Sequence, residues 1–206
     1  MKFTAKLKES EKQINAIMTQ EINKVLKRVV NSARPIIAKE VGILFKRAIE
    51  SSPEYQSLLF GKLMNEFGIE DSPRKLADIM NVWLNSINTE YNTRSGVLTI
   101  NMCLSDFRDV LGLEAASIIT EKGQELEWLR WLLLDGDKTI VRDFHIEYNP
   151  MYSRTASDVM VKGGSWGVPP EFSGSLGDNF VTRALDTISD EAISNIIQKQ
   201  LKAAYK

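Results

Sequence analysis

His145 is the only histidine among the 206 residues, so any histidine-based chemistry must be built around it. It stands in a segment where apolar and polar residues alternate, with Asp143 and Glu147 two positions to either side. Because alternate side chains of a strand share a face, these three could form a catalytic or metal-binding cluster. A hydrolase of this kind would lose its activity on His145→Ala. No serine or cysteine motif accompanies the cluster, which favours a solvated polar face of a half-covered sheet.

Other motifs that carry chemistry are incomplete. Cys103 is the only cysteine, which excludes a disulfide framework and, with the single histidine, a Cys/His zinc site. The run GGSWG at 163–167 lacks both the Lys-Ser/Thr of a phosphate loop and the spacing of a dinucleotide fingerprint. Carboxylate pairs such as Asp106 and Asp109 do not indicate two acids set across a cleft. The sequence therefore predicts no catalytic residue, no cofactor and no metal.

A long loop is predicted over residues 163–177, which are rich in Gly, Ser and Pro and cannot form continuous helix or sheet. Rigid apolar groups on a loop suit anchoring against a partner, so we predict that this loop docks on a partner protein. The alternative is that it folds back on its own domain. The predicted interface residues in the loop are Trp166, Val168, Pro169, Pro170 and Phe172.

Helices are predicted throughout residues 1–88, the N-terminal helical region. In the first fifty residues apolar side chains recur at three- and four-residue steps between Lys and Glu, which is typical of an amphipathic helix that needs a partner surface. Pro35 interrupts this pattern, so we expect either two helices or one kinked helix. Ser-Pro pairs at 52–53 and 72–73 mark further helix starts, and Gly68 is placed to end one helix.

Residues 89–206 are predicted to form an α+β core. Within this core we expect strands near 97–102, 138–148 and 157–161, helices near 105–111 and 124–134, and an amphipathic C-terminal helix over 178–205. The predicted fold class is therefore α+β, with long N-terminal helices, a small and mostly antiparallel sheet of about four strands, and a C-terminal amphipathic helix. Trp128 and Trp131, one helical turn apart, are expected in the core rather than in a binding site.

Charge is uneven along a chain whose formal net charge is only −1. Residues 1–50 carry eleven Lys/Arg and five Asp/Glu, whereas residues 104–149 carry five and ten. The basic segment could attract nucleic-acid phosphates, but glutamates interrupt it and no aromatic residue is interleaved to stack on bases. No apolar run approaches the ~18 residues of a membrane span. We expect a soluble protein, assembled inside a cell, with no membrane partner.

Three stretches in this order resemble structural proteins of long-tailed bacteriophages: SPEYQSLLFGKLMNEFG at 52–68, LEWLRWLLLDGDKTIVRD at 126–143 and GGSWGVPPEFSGSLGDNFVTRAL at 163–185. The last stretch is the most specific. Its loop ends in Asp-Asn-Phe-x-Thr-Arg-Ala before a terminal amphipathic helix, which looks like the end of phage neck or tail-completion proteins, the head-to-tail connectors. The N-terminal helical segment is longer than in the short forms of that family and would be an added contact arm.

The resemblance implies a non-enzymatic protein whose α+β unit forms a homo-oligomeric ring between the portal and the tail tube. It implies a place in the neck or tail of the virion, after assembly in the host cytoplasm, with neighbouring connector and tail proteins as partners. Genome DNA would pass through the lumen without sequence-specific contact. On this basis the predicted interface also includes Asn179, Phe180 and Arg183. A tail terminator or tail-sheath-associated protein is one alternative, and a DNA-binding protein that uses the basic N-terminal helix is another.

Overall fold

The fold begins with one very long helix. The computed structural model describes residues 10–102, 106–119, 123–136, 138–147, 151 and 159–205. Helix α1 (Glu11–Glu50) starts at a capping box, in which the Ser10 hydroxyl accepts the backbone N–H of Gln13 and the Gln13 side chain accepts the N–H of Ser10. Pro35 lies inside α1, so the chain forms one helix here rather than two. Pro35 is exposed, whereas Ala33 and Ile37 beside it are buried and hold the helix to the body.

Seven further helices lie in the described part of the chain, and two predicted helices are each divided in two. The helices are α2 (Pro53–Phe60), α3 (Lys62–Phe67), α4 (Ser72–Ser86), α5 (Arg108–Leu111), α6 (Trp128–Leu133), α7 (Phe180–Asp186) and α8 (Asp190–Tyr205), with a 3-10 turn at Glu114–Ala116. The helix predicted between Ser52 and Gly68 breaks at Gly61, where a Cβ would come within 2.8 Å of the Ser57 Cα. The C-terminal helix breaks because Thr187 caps the carbonyl of Ala184 and Ser189 then caps a new helix start.

In the described ranges the strands form three separate antiparallel pairs, so the prediction of one four-stranded sheet is wrong while the α+β class is confirmed. The pairs are β1 (Asn88–Asn92) with β2 (Val97–Asn101), β3 (Ile118–Ile119) with β4 (Glu125–Leu126), and β5 (Thr139–Glu147) with β6 (Val159–Gly167). Each strand pairs with its neighbour in the chain. Apolar side chains of the longer pairs, such as Ile100 and Ile140, pack against the buried clusters instead of against a second sheet. Helices therefore cover each hairpin separately.

Strand β6 extends into the segment that was predicted as a loop. It continues to Gly167, so the loop begins after that residue rather than at 163. Gly163 and Gly164 have φ values of 111° and 80°, and the pairing register shifts opposite them, between Arg142 and Phe144. Glycines can adopt these angles without strain, which lets the strand bulge and continue. The Gly- and Ser-rich composition of this segment predicted a loop, whereas its first residues form part of a strand.

Two apolar clusters hold the helices together. In the larger one, Trp83 of α4 makes edge contacts with Phe45 of α1 and Phe180 of α7, with ring centroids 6.2 Å and 6.1 Å apart. Trp128 is fully buried there and Trp131 packs against the cluster, as predicted. Residues on both sides of position 88 share this core.

The smaller cluster joins α1 to the C-terminal helix. Its buried members, Ala33, Ile37 and Val41, are covered by partly buried residues of α8 and β2. Glu40 lies at its edge and accepts hydrogen bonds from the side chains of Lys199, at 3.2 Å, and Gln200, at 2.8 Å. The second half of α1 thus finds its partner surface within the same chain.

Candidate functional site

His145 makes contacts that stabilise a hairpin. Its Nδ1 lies 2.7 Å from the carbonyl oxygen of Gly163 across the β5–β6 pair, and its Nε2 lies 3.7 Å from a carboxylate oxygen of Glu147. Asp143 has a φ of 65° and sits at the register shift. Among the described residues, no group of three or more His, Cys, Asp or Glu side chains could hold a metal ion. The histidine cluster therefore supports a structural interpretation.

The predicted docking loop packs on its own chain. Trp166 and Val168 are 8% and 6% exposed, Pro169 is buried and Phe172 is half-buried, while Pro170 is exposed. The Trp166 ring meets that of Phe67 edge to face, with centroids 5.6 Å apart. The burial of these residues agrees with the alternative interpretation, in which the loop folds back on its own domain. The docking role stays a prediction, and the buried side chains offer no free surface for it in this structure.

Asn179, also a predicted interface residue, is fully buried and ties a helix start to two other segments. Its Oδ1 accepts the backbone N–H groups of Val181 and Thr182 at the first turn of α7. Its Nδ2 donates to the carbonyl oxygen of Ser175 at 2.9 Å and to that of Leu133 at 3.4 Å. This amide therefore joins α7, the preceding loop and the end of α6. Phe180, the next residue, lies in the core beside it.

Arg183 forms ion pairs with two carboxylates. Its Nη2 lies 2.6 Å from Oε1 of Glu54, which is only 3% exposed, and its Nη1 lies 2.7 Å from Oδ1 of Asp178. Burial acts to lower the pKa of Arg183, but the hydrogen bonds to Glu54 and Asp178 outweigh it and the pKa is raised. The guanidinium stays charged, which keeps a buried carboxylate at the start of α2 compensated.

Two glycines allow a close backbone crossing near Arg183. The N–H of Gly136, in the turn after α6, donates to the carbonyl oxygen of Gly174 at 3.0 Å. A Cβ on Gly174 would overlap the carbonyl oxygen of Leu132, and one on Gly136 would overlap the backbone nitrogen of Gly174. Only glycine fits at either position without displacement of the backbone. The 168–179 loop is thus held in direct contact with the turn that follows α6.

These contacts join all three stretches of the sequence resemblance at one place, which we call the junction: Glu54, Leu133, Gly136, Gly174, Asn179 and Arg183. The prediction included Asn179 and Arg183 but not the four residues that they and the loop contact. Glu54 follows the Ser-Pro helix start at 52–53, and the sequence Asp135-Gly136-Asp137 is typical of a sharp turn, yet neither motif indicates which distant segment it meets.

The first part of α1 extends away from the body. We call residues 10–28 the arm; at 1.5 Å per residue it is about 27 Å long. Four large apolar side chains of the arm are 43–55% exposed, and the first buried residue of the helix is Val29. These exposed side chains are Ile17, Met18, Ile22 and Leu26. The apolar stripe predicted from the sequence is therefore covered by the body only from Val29 onward.

A polar cleft of about 870 Å³ separates the arm from the turn between β1 and β2. Its lining includes Lys24, Lys27 and Arg94, with asparagine, glutamine and threonine side chains between them. Lys24 also contacts Glu21, with its Nζ 2.6 Å from the carboxylate. The cleft has the chemistry of a weak anion-binding surface.

Comparison with protein-family models, with curated proteins and with solved structures found no match for this chain. Across the described ranges, none of the helices is both long enough and apolar enough to cross a bilayer.

Proposed function

We propose that this protein is a virion structural protein of a tailed phage, a neck, connector or tail-completion subunit that forms a ring between the portal and the tail tube. Its partners would be further copies of itself and the neighbouring connector and tail proteins. Genome DNA would cross the lumen without sequence-specific contact. The tail terminator and the sheath-associated protein are alternative positions in the same particle.

The observation that carries this proposal is the junction. The three stretches that resemble phage neck proteins begin at positions 52, 126 and 163, yet they meet through the Glu54–Arg183 ion pair and the Gly136–Gly174 crossing. A resemblance spread over segments that build one structural unit supports a shared fold better than one confined to a single exposed motif.

Exposed apolar side chains supply further support for assembly. Phe60 and Ile119 are 75% and 76% exposed, and the arm carries an uncovered apolar stripe. Large apolar groups in water favour association, and contacts between copies of a chain commonly bury them. The opposite charges of the N-terminal segment and the middle segment would help to set the register between neighbours.

Immunoelectron microscopy of purified virions from the source of this sequence tests the proposal. We expect an antibody against the chain to label the neck of the virion, where the head meets the tail, with particles of an unrelated phage as the control. Label at the far end of the tail tube would favour another tail component. Absence of the chain from virion protein by mass spectrometry would contradict the structural role.

The polar cleft favours a second candidate function, DNA binding through the basic N-terminal helix. This function predicts duplex affinity that falls steeply with salt, and a salt slope that decreases by about one for each phosphate contact removed. Lys27→Gln and Arg94→Gln should then weaken binding, whereas Lys202→Gln on the exposed surface of α8 should not. Filter binding at several salt concentrations distinguishes the two functions.

A further inference from the structure

A second uncovered surface lies at the other end of the body from the arm. Two adjoining clefts, of about 550 and 390 Å³, share Lys75, Ile118 and Ile119 and together form one groove. Its apolar lining includes Leu111 and Leu113 as well as the two isoleucines. Ile119, on the two-residue strand β3, is 76% exposed. The groove thus combines polar and apolar lining, and its apolar side chains are not fully covered by the described part of the chain.

The rim of this groove is acidic. Four carboxylates line it, and two cations accompany them: Glu70, Asp71, Glu114 and Glu125, with Arg74 and Lys75. Asp71 is paired with Arg74 at 2.6 Å, and Lys75 donates to the carbonyl oxygen of Ser117. Glu114 and Glu125 are exposed, and they give the rim a net negative charge.

The arm has the opposite character. Its apolar stripe is flanked by four cations and two acids: Lys12, Lys24, Lys27 and Arg28, with Glu11 and Glu21. An amphipathic helix with basic flanks fits an apolar groove with an acidic rim, because the stripe fills the floor while unlike charges meet at the edges.

The arm cannot reach the groove of its own chain. Helix α1 continues without a break from the arm through Val29 into the core, and the arm lies across a cleft from the β1–β2 turn. At the C-terminal end of α4, Leu84 and the following residue Ile87 lie beside Gly42 of α1. The groove lies at the N-terminal end of α4. A helix of that length separates the two ends by about 20 Å. The occupant must therefore come from another chain.

We propose that the arm of one copy of this protein docks in the Ile119 groove of the next copy. Because the two surfaces differ and lie apart on the molecule, the contact is heterologous and propagates from copy to copy. Such a contact closes into a ring when the rotation between copies allows it. The inference rests on the proposed function in that it names the contact by which the ring would be built.

Sedimentation velocity of the full chain over a wide concentration range tests self-association. We expect wild type to form species larger than a monomer, and Ile22→Asp in the arm or Ile119→Asp in the groove to remain monomeric and folded by circular dichroism. Ile36→Asp is the matched control, because Ile36 is 49% exposed on the same helix but outside the arm. Wild type that stays monomeric at every concentration overturns the contact.

Mixing the two variants tests whether the contact is heterologous. Ile22→Asp retains a normal groove and Ile119→Asp retains a normal arm, so an equimolar mixture should form heterodimers and stop there. A mixture that stays monomeric contradicts arm-in-groove docking. If wild type associates while Ile119→Asp associates equally well, a different surface receives the arm and the proposal fails.

Charge reversal tests the rim. Glu114→Lys with Glu125→Lys should weaken association roughly tenfold, and Lys24→Glu with Lys27→Glu in the same chain should restore part of the loss. An unchanged dissociation constant in the groove variant, or no recovery in the combined variant, would argue against the proposed orientation. Virion labelling tests the phage role separately, so failure of this contact and failure of that role can be distinguished.

Discussion

The Nη2 atom of Arg183 lies 2.6 Å from Oε1 of Glu54, across 129 positions of sequence, and this ion pair ties the start of α2 to α7. Glu54 is 3% exposed, so it depends on the guanidinium for charge compensation. The same guanidinium forms an ion pair with Asp178. Asn179, the residue after Asp178, donates a hydrogen bond to the carbonyl oxygen of Leu133 at the end of α6. Arg183 and Asn179, both predicted to form a subunit interface, therefore join segments of their own chain in this structure.

Removing Arg183 should destabilise the fold. Arg183→Ala leaves the Glu54 carboxylate buried without its cation, and we expect the free energy of unfolding to fall by about 2 kcal/mol. This is less than the ~3–5 kcal/mol typical of fully buried pairs, since the Arg183 side chain is 38% exposed. Urea denaturation measures the change. Arg74→Ala, which breaks only exposed pairs with Asp71 and Asp78, should have little effect, and equal losses in both variants would contradict the special role of Glu54.

Trp166 is predicted to matter for folding before it matters for assembly. Trp166→Ala should lower the free energy of unfolding by about 3–5 kcal/mol, because it empties a buried site against Phe67. Trp166→Phe should cost less, since the indole Nε1 has no hydrogen-bond partner among the described residues. Phe60→Ala, at a 75% exposed position, is the control. A Trp166→Ala variant with wild-type stability and lost assembly would instead support docking on a neighbour.

The Gly136–Gly174 crossing should tolerate no side chain. Gly174→Ala places a Cβ against the carbonyl oxygen of Leu132 and 2.9 Å from the Cβ of Asn179, so the loop must move and the melting temperature should fall clearly. Gly177→Ala in the same loop is the control, because nothing lies within 4 Å of its added Cβ. Differential scanning calorimetry compares the two variants. Similar melting temperatures for both would show that the loop adapts freely.

Acid sensitivity should depend partly on Asp135, beside this crossing. A hydrogen bond from Lys138, at 2.7 Å, lowers the pKa of Asp135 against the opposing effect of burial, and one from Arg130, at 3.0 Å, adds to it. Because the folded pKa lies below the unfolded one, the stabilisation is complete above the ordinary aspartate pKa of about 3.9 and disappears as the pH falls through the folded pKa.

Asp135→Asn therefore should lower stability at neutral pH by about 1 kcal/mol or less, and the difference from wild type should vanish in acid. Urea denaturation at neutral pH and at a pH well below the ordinary aspartate pKa measures both values. Asp186→Asn, at an exposed position, is the control. A constant difference at all pH values would rule out the carboxylate charge as its origin.

Pro35 is expected to weaken the helix that contains it. Proline in a helix interior removes a hydrogen bond and costs about 3 kcal/mol relative to alanine, and Pro35 is exposed, so Pro35→Ala should raise the free energy of unfolding by about 1–3 kcal/mol. Pro35→Gly should gain less because glycine is the poorer helix former. Thermal unfolding followed by circular dichroism measures the order. A loss of stability in Pro35→Ala would indicate that the proline shapes a contact of α1 with the body.

Local sequence patterns predicted the kinds of element and several of their positions. These patterns are local: the apolar periodicity around Ile37 and Val41, the helix starts at Ser52 and Ser72, and the turn at Gly136. Local hydrogen bonding and side-chain burial produce the helices and the turn that these patterns predict. The α+β class follows from such signals. The buried position of Trp128 was also predictable, because its helix is apolar on a face too wide to leave in water.

How these elements pack together depends on tertiary contacts that local patterns do not specify. Three separate hairpins form where one sheet was expected, because each strand pair is covered by helices whose positions no local pattern specifies. Trp166, near the end of β6, packs inward against Phe67, and the Gly136–Gly174 crossing holds the loop that follows the strand. A rigid apolar loop has the same composition whether it covers its own core or a neighbour's surface. Burial depends on distant partners such as Glu54 and Arg183, and their pairing is a property of the folded chain alone.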